Sequence, residues 1–238
     1  VASVQAQKSQ VIAHRGYWKT AGSAQNSITS LQKADSIHCY GSEFDVWLAK
    51  DNKLVVNHDP VYKMKYMEYS KGDALTGLKL SNGENLPSLQ KYLEAGKKCN
   101  TKLILELKAH NSKKRETKAV QEILAMVKKM GLEDRMEYIT FSLHAMKEFI
   151  RLAPAGTPVF YLNGELSPKE LKDLGAAGLD YHMGVIKKHP EWIKEAHDLG
   201  LKVNVWTVDK AEDMKWLIDQ KVDFITTNEP IVAQDMLK

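Results

Sequence analysis

The amino-acid sequence predicts an α/β protein, a (β/α)8 barrel with a small insertion after the second strand. Short apolar segments alternate with amphipathic helical patterns along the chain, and eight such units can be counted without a Ser- or Pro-rich linker between them. Polar residues also recur at the ends of the apolar segments, and in a closed barrel the carboxyl ends of the strands form one face. A doubly wound open sheet is the alternative, and it would spread those residues along an edge.

The predicted strands are short runs of apolar and β-branched residues. In chain order they are VIAHRG from Val11, SEFDVW from Ser42, LILEL from Leu103, YITF from Tyr138, VFYL from Val159, LDYHM from Leu179, VNVWTV from Val203 and FITT from Phe224. Helical patterns fill the intervals, and Gly131, Gly175 and Gly200 stand where helices should end before the next strand.

The segment after the second strand departs from this alternation. LVVNHDP, residues 54–60, predicts an extra hairpin that folds His58 back over the strand ends. A long polar stretch follows, and we place an insertion at about residues 59–87, a length typical of a lid or an inserted subdomain. We therefore predict one domain over residues 11–238, preceded by an N-terminal segment, residues 1–10.

Composition is that of an ordinary globular protein. The 238 residues are 43% hydrophobic and 27% charged, which argues against disorder and a fibrous architecture. The net charge of +4 suits a small anionic substrate but lacks the concentrated basic patch of a nucleic-acid binder. We expect no nucleic-acid partner, and the oligomeric state stays open.

The cysteines and the N-terminus bear on compartment. Cys39 and Cys99 lack metal-ligand spacing and are expected to be buried free thiols, and no apolar run is long enough for a transmembrane segment. The first residues, Val1 to Ala6, resemble the end of a signal peptide, with cleavage expected after Ala6. This favours a periplasmic or secreted protein, with the cytoplasm as the alternative.

Three carboxylates in two strands indicate a metal site. Glu43 and Asp45 are two residues apart, so on a strand both point to the same side. Glu106 interrupts the apolar run KLILELK, and a lone carboxylate in a buried strand is costly unless it is paired or bound to a metal. Because all three ligands are oxygens, we expect one divalent ion, Mg²⁺ or Ca²⁺.

Two histidines and two cations accompany these carboxylates. His14 and Arg15 end the first strand, His58 lies in the hairpin, and Lys108 follows Glu106 by two residues. Imidazole is suited to proton transfer near neutral pH, and fixed cations suit an anionic substrate.

In their order and spacing, the motifs resemble those of the glycerophosphodiester phosphodiesterases, TIM-barrel phosphohydrolases with an insertion after the second strand. The matching motifs are HRG at His14, ExD at Glu43, HD at His58, LPSL at Leu86, ExK at Glu106, TF at Thr140, VWTVD at Val205 and TTNEP at Thr226. The resemblance covers nearly the whole chain and implies metal-dependent hydrolysis of a glycerophosphodiester to an alcohol and glycerol phosphate.

The resemblance also implies roles for individual residues. Glu43, Asp45 and Glu106 correspond to the metal ligands, and His14 and His58 to the acid and base, in an order that stays open. Arg15 and Lys108 correspond to residues that contact the phosphate, and Phe141 and Trp206 to residues that form the pocket wall.

Two positions depart from the family pattern. Gln25, in Ala24-Gln25-Asn26-Ser27, stands where the family usually has glutamate, and Asn228 stands where it usually has aspartate. Loss of these acids can alter metal affinity, substrate preference or the pKa of a histidine, but it removes none of the three ligands.

Several alternatives remain open at this point. A metal-dependent lyase that closes a cyclic phosphate from a phospholipid would use the same parts, and a noncatalytic binding protein could retain them. Phe141 and Trp206 could be core aromatics, and His182 could be a pocket residue or a structural one. The aromatic and methionine residues from Tyr62 to Tyr69 could form a lid or the insertion's own core.

Overall fold

The computed structural model of the protein describes residues 8–238, in which short strands and helices alternate. The strands are β1 (Gln10–Ala13), β2 (Gly41–Leu48), β3 (Leu54–Val56), β4 (Val61–Tyr62), β5 (Lys65–Tyr66), β6 (Lys102–Leu107), β7 (Met136–Thr140), β8 (Val159–Tyr161), β9 (Gly178–His182), β10 (Lys202–Trp206) and β11 (Phe224–Thr227). The helices are α1 (Ile28–Ser36), α2 (Gly72–Thr76), α3 (Leu89–Lys97), α4 (Lys113–Lys129), α5 (Leu143–Leu152), α6 (Pro168–Leu174), α7 (Met183–Lys188), α8 (Glu191–Asp198), α9 (Ala211–Asp219) and α10 (Pro230–Met236).

Eight of these strands form a closed parallel barrel, which confirms the predicted fold class. The strand order is β1-β11-β10-β9-β8-β7-β6-β2, and β2 pairs with β1 to close the ring. All eight predicted strands are present at the expected places. The open-sheet alternative is wrong, because an open sheet would leave β1 and β2 as unpaired edges.

The barrel has an apolar interior beneath its polar mouth. Six buried side chains form an inner cluster: Ile12, Ile104, Ile139, Phe160, Leu162 and Phe224. A larger cluster outside the sheet packs the strands against the helices. Cys39 and Cys99 are buried and free.

The segment after β2 folds back as the sequence predicts. β3 pairs antiparallel with the end of β2, and β4 pairs with β5 in a separate two-stranded hairpin. Met67 and Tyr62 join a small core under this segment, whereas Met64, Tyr66 and Tyr69 are exposed. Tyr62 and Met67 therefore belong to the insertion's own core, and a lid role for the exposed residues stays a prediction.

Among residues 8–238, no helix has the length and apolar character needed to cross a membrane. The expected cleavage after Ala6 falls outside the described residues and stays a prediction.

The turn after β1 requires glycine at position 16. Gly16 has φ +77°, and a Cβ there would lie 2.2 Å from the Ser30 hydroxyl oxygen. Gly22 has a similar φ of +78° but open space around it. Comparing alanine substitutions at the two positions therefore separates the energetic cost of the left-handed backbone from that of the steric clash with Ser30.

We expect Gly16→Ala to destabilise the fold more than Gly22→Ala. The left-handed conformation costs about 1–2 kcal/mol in both variants, and overpacking adds about 1–3 kcal/mol at position 16 only. Urea unfolding of both variants measures the difference, and an equal loss of unfolding free energy would show that the turn accommodates a side chain.

Candidate active site

Three buried carboxylates lie together on the neighbouring strands β2 and β6. Asp45 and Glu106 are opposite each other in the strand register, and Glu43 lies on the same face of β2. One oxygen from each carboxylate can be chosen so that all three lie within 4.8 Å of one another. The structure therefore brings together the three residues predicted as metal ligands.

The carboxylates perturb one another strongly. Burial raises the pKa of Glu43 well above its ordinary value, and Asp45 and Glu106 add to the effect. Burial and the Asp45 charge raise the pKa of Glu106 to about 8. Burial opposes ionisation of Asp45 as well, but Lys108 and His58 hold its pKa below the usual range. All three carboxylates can be ionised together only if positive charge beyond that of Lys108 lies close to them.

The oxygens themselves fit a bound cation. Glu43 Oε1 and Asp45 Oδ1 are buried without a hydrogen-bond partner among the described residues. Buried polar atoms are usually satisfied, and an unsatisfied carboxylate oxygen is especially costly. A hard divalent ion, such as Mg²⁺ or Ca²⁺, would satisfy both oxygens with the ligand type that it prefers.

Two basic side chains border the carboxylates. Lys108 Nζ lies 2.9 Å from Glu106 Oε2 and 5.8 Å from the centre of the Phe141 ring. Burial lowers the pKa of Lys108, but Glu106 and Asp45 outweigh it and raise the pKa overall, so the amine stays charged. Arg15 Nε lies 4.0 Å from Asp45 Oδ2. Both cations can reach an anion bound at the carboxylates.

Asn26, in the loop before α1, holds Asp45 in place. Its amide nitrogen donates to Asp45 Oδ2 at 3.0 Å, and its amide oxygen accepts from the Asp45 backbone N–H at 3.2 Å. The backbone N–H of Arg15 donates to Glu43 Oε2 at 2.9 Å. The β1–α1 connection therefore positions two of the three carboxylates.

His14 is oriented by a chain of side chains that ends in a carboxylate. Its Nδ1 lies 2.8 Å from Asn228 Oδ1, which also accepts from Trp18 Nε1. Asn228 Nδ2 donates to Asp209 Oδ2 at 3.0 Å. Because indole is only a donor and carboxylate only an acceptor, the amide oxygen must face the histidine. Nδ1 of His14 is therefore the donor, and its Nε2 lies 4.0 Å from Glu43 Oε2 without a hydrogen bond among residues 8–238.

His58 is oriented in a similar way from the segment after β3. Its Nδ1 lies 2.6 Å from Asp59 Oδ1, and the backbone N–H of Asn57 donates to the Asp45 carbonyl at 3.0 Å. The contact with Asp59 leaves Nε2 of His58 available for proton transfer. The Asn57 hydrogen bond attaches this segment to β2, the strand that carries Glu43 and Asp45.

Both histidines have lowered pKa values. Burial is the largest cause at His14, followed by the Arg15 charge. Burial is also the largest cause at His58, where Lys108 and Arg15 contribute in the same direction against the Asp45 charge. At both positions burial disfavours the charged imidazolium, so the histidine that acts as the acid must take up a proton before it reacts.

An inner cavity of about 170 Å³ joins these groups. Its polar wall includes His14, His58, Glu43 and Glu106, and its apolar wall is formed by Ile139, Phe141, Leu162 and Trp206. The Phe141 and Trp206 rings meet edge to face, with their centres 5.6 Å apart. Both predicted wall residues thus border the cavity.

A second, outer cleft of about 500 Å³ adjoins the inner cavity. Arg15 and His58 line both spaces, and the outer one is bounded by Trp18, Lys19 and Tyr62 among others. A molecule with a central anionic group could therefore place one end in the cavity and the other in the cleft.

The structure also shows what replaces the family acids. Gln25 Oε1 accepts from Arg15 Nη1 at 2.7 Å, so the amide still anchors the guanidinium but adds no negative charge. At Asn228 the amide itself donates to a carboxylate, that of Asp209. His182 caps α7 by accepting from the Gly184 N–H and packs edge-on against Trp206, which favours the structural interpretation.

Comparison with known proteins gives a consistent result. Residues 14–232 match the model of the glycerophosphoryl diester phosphodiesterase family. The chain is similar to a glycerophosphodiester phosphodiesterase of Caldanaerobacter subterraneus subsp. tengcongensis, with 27% identity over 94% of this chain and 95% of the relative.

Solved structures agree. The fold is similar to a glycerophosphodiester phosphodiesterase from Parabacteroides distasonis, with a TM-score of 0.96, 52% identity and coverage of 98% of each chain. It also resembles a phosphodiesterase from Oleispira antarctica solved in complex with the product sn-glycerol-3-phosphate, with a TM-score of 0.80, 22% identity and coverage of 96% of each chain. At that identity, the second likeness shows the fold alone.

Proposed function

Because the chain belongs to the glycerophosphoryl diester phosphodiesterase family and is a phosphoric diester hydrolase, we propose that it cleaves a glycerophosphodiester with a bound divalent cation and histidine acid–base catalysis. The products are an alcohol and glycerol phosphate. One observation carries the proposal: two oriented histidines and two members of the carboxylate cluster line a single cavity.

Glu43, Asp45 and Glu106 would hold the cation, Mg²⁺ or Ca²⁺. When bound, the ion stabilises negative charge on the nonbridging phosphate oxygens. Its charge would also relieve the repulsion among the three carboxylates, since each is then ionised against a positive centre.

Arg15 and Lys108 would bind the phosphate from the protein side. Their side chains flank the carboxylates, with Arg15 near Asp45 and Lys108 paired to Glu106. Preorganised cations of this kind stabilise a phosphoryl group without reorganisation during the reaction. Gln25 holds the Arg15 guanidinium without neutralising it.

His14 and His58 would carry the protons. One imidazole takes a proton from the attacking oxygen as its bond to phosphorus forms. The other, which must be protonated at both ring nitrogens before the reaction, donates the proton on its Nε2 to the alkoxide as the second P–O bond breaks. Each histidine has Nδ1 engaged by an acceptor, at Asn228 for His14 and at Asp59 for His58, so each presents Nε2 for this transfer.

The two spaces on either side of this centre suit the two halves of a diester. The small inner cavity suits the glycerol end, and the larger outer cleft suits the variable alcohol. The similarity to proteins named glycerophosphodiester phosphodiesterase supports a glycerophosphodiester as the substrate here.

Phosphorus NMR of the metal-loaded protein with a panel of glycerophosphodiesters and lysophospholipids tests the proposal. A new phosphomonoester signal from a glycerophosphodiester is the expected result. A persistent cyclic-phosphate signal from a lysophospholipid would instead identify the lyase reaction, and no product from any diester would contradict the proposal.

The chain that orients His14 yields a prediction of its own. Asn228→Ala removes the acceptor at Nδ1 and lets the ring change tautomer and orientation. We expect kcat to fall about 10- to 100-fold, in the range seen for partners that orient histidines at metal sites, with a smaller change in KM. Steady-state kinetics measures this, and cation binding by calorimetry should be unchanged. An unaltered kcat would show that Asn228 does not position the histidine.

A further inference from the structure

A fourth carboxylate faces the inner cavity and has no part in the proposed chemistry. Asp180 lies on β9, two residues before the strand ends, and its side chain is 1% exposed. Its Oδ1 atom is buried without a hydrogen-bond partner among residues 8–238. An unsatisfied carboxyl in a barrel interior is costly, so a ligand group that pairs with it would gain correspondingly.

Asp180 lies on the wall of the cavity that the two histidines also line. Trp206, at the end of β10, donates from its indole nitrogen to the Asp180 backbone carbonyl at 2.9 Å. This bond holds the Trp206 ring next to Asp180. Asp180 and Trp206 line the same cavity as His14 and His58, so a group bound in this cavity is within reach of the carboxyl.

The rest of that wall is mostly apolar. Ile139, Phe141 and Leu162 line it beside Trp206. The nearby hydroxyl of Thr226 already donates to Asn204 Oδ1 at 2.8 Å. At about 170 Å³, the space is smaller than a typical drug-sized pocket of about 300–1,000 Å³. It therefore suits a short carbon chain that carries a polar group at its end.

Resting on the function proposed above, we propose that Asp180 is a specificity-determining residue that binds the terminal hydroxyl of the substrate's glycerol group. The carboxyl pairs with the hydroxyl farthest from the phosphate, while the carbon chain packs against the aromatic wall. The residue selects glycerol phosphodiesters over diesters of less hydroxylated alcohols and takes no part in the bond-breaking step.

The electrostatic setting favours a hydroxyl over an ammonium group. Burial raises the pKa of Asp180 well above its ordinary value, and the Glu106 and Glu137 charges add to the effect. A neutral carboxyl can both donate to and accept from a hydroxyl. An ammonium ligand would need the ionised form, which this environment disfavours.

Two diesters that differ in one hydroxyl test the proposal. The first is glycerophosphoethanolamine, and the second replaces its glycerol with propane-1,2-diol, so that only the terminal hydroxyl is lost. The hydroxyl beside the phosphate-bearing carbon is kept in both, so a reaction that uses it is not affected. Sites built to bind a hydroxyl reject the analogue strongly, and we expect at least about a 100-fold preference in kcat/KM for the glycerol diester.

Asp180→Leu should reduce this preference at least about tenfold. The loss should come from a lower kcat/KM on the glycerol diester, while the rate on the propanediol diester is retained. Asp180→Asn should keep most of the preference, because an amide can still pair with the hydroxyl. Glu116→Gln is the matched control, since Glu116 is another buried carboxyl but lies on α4, where it accepts from the His110 backbone N–H and the Ser142 hydroxyl.

Other outcomes would overturn the assignment. An undiminished preference in Asp180→Leu would exclude a hydroxyl contact. A third diester, glyceryl methyl phosphate, has the glycerol group but no ammonium group. If Asp180→Leu lowered kcat/KM equally on both ethanolamine diesters and left it unchanged on glyceryl methyl phosphate, the carboxyl would bind the ammonium group instead. Failure of the wild-type protein to cleave any of the three diesters would contradict the proposed function itself, a result distinct from a failure of this assignment.

Discussion

His14→Ala is expected to lower kcat for glycerophosphodiester hydrolysis by about 10³-fold, with little effect on substrate affinity. General acid–base catalysis contributes about 10²–10⁴-fold, and alanine removes the transferring nitrogen without disturbing the carboxylate cluster. His58→Ala should have an effect of the same order, because its Nε2 is also free and borders the same cavity. Steady-state kinetics on the metal-loaded variants measures both.

A half-buried histidine outside the site provides the control. His189 stacks on Trp192 with ring centres 4.1 Å apart, and His189→Ala should leave kcat unchanged. If His14→Ala retained a rate within tenfold of the wild-type rate, proton transfer at this position would not be part of the reaction.

Asp45→Asn is expected to weaken divalent-cation binding by at least about 100-fold and to abolish most of the activity. Substitution of residues that only support ligands already costs about 10- to 100-fold in metal affinity, and Asp45 would be a direct ligand. The Asn26 amide can still donate to the new side chain, so the loop before α1 should keep its position. Isothermal titration calorimetry with Mg²⁺ and Ca²⁺ measures the change.

Asp73→Asn is the matched control. Asp73 lies in the insertion, far from the cluster in sequence, and is an exposed carboxylate that pairs with Lys53. The substitution should not alter cation affinity. Wild-type affinity in Asp45→Asn would mean that the ion binds elsewhere. Thermal unfolding of the metal-free variants shows whether folding is retained.

Much of the barrel follows from local pattern. The eight strands are short apolar runs separated by helical periodicity, and the parallel order needs no long-range information beyond that alternation. The metal cluster follows from the same argument, because Glu43 and Asp45 share a strand face and Glu106 lies in the register opposite Asp45. The alternation of side chains along a strand and the location of barrel sites at the strand ends are enough to predict these three ligands.

The supporting residues were harder to predict. Asn26 lies in a loop, and its contact with Asp45 depends on how the β1–α1 connection folds over β2. The link from His14 through Asn228 to Asp209 joins three separate segments of the chain. Such contacts depend on tertiary geometry, which strand and helix periodicity does not specify.

Asp180 was missed although the sequence carried a signal. It is a lone carboxylate in LDYHM, an otherwise mostly apolar strand, and it lies on the same side as His182. The cost of burying an isolated carboxylate, which indicated a role for Glu106, applies equally at this position. The two-residue strands β4 and β5 carried no comparable signal, because runs that short show no periodicity.

The most direct test of the metal and histidine account is a cation titration of the EDTA-treated protein, followed by phosphorus NMR with a glycerophosphodiester. Glycerol phosphate should be absent before the cation is added, and its rate of formation should saturate at one bound ion per chain. Hydrolysis at the full rate in excess EDTA would contradict a role for Glu43, Asp45 and Glu106 as the metal centre of the reaction.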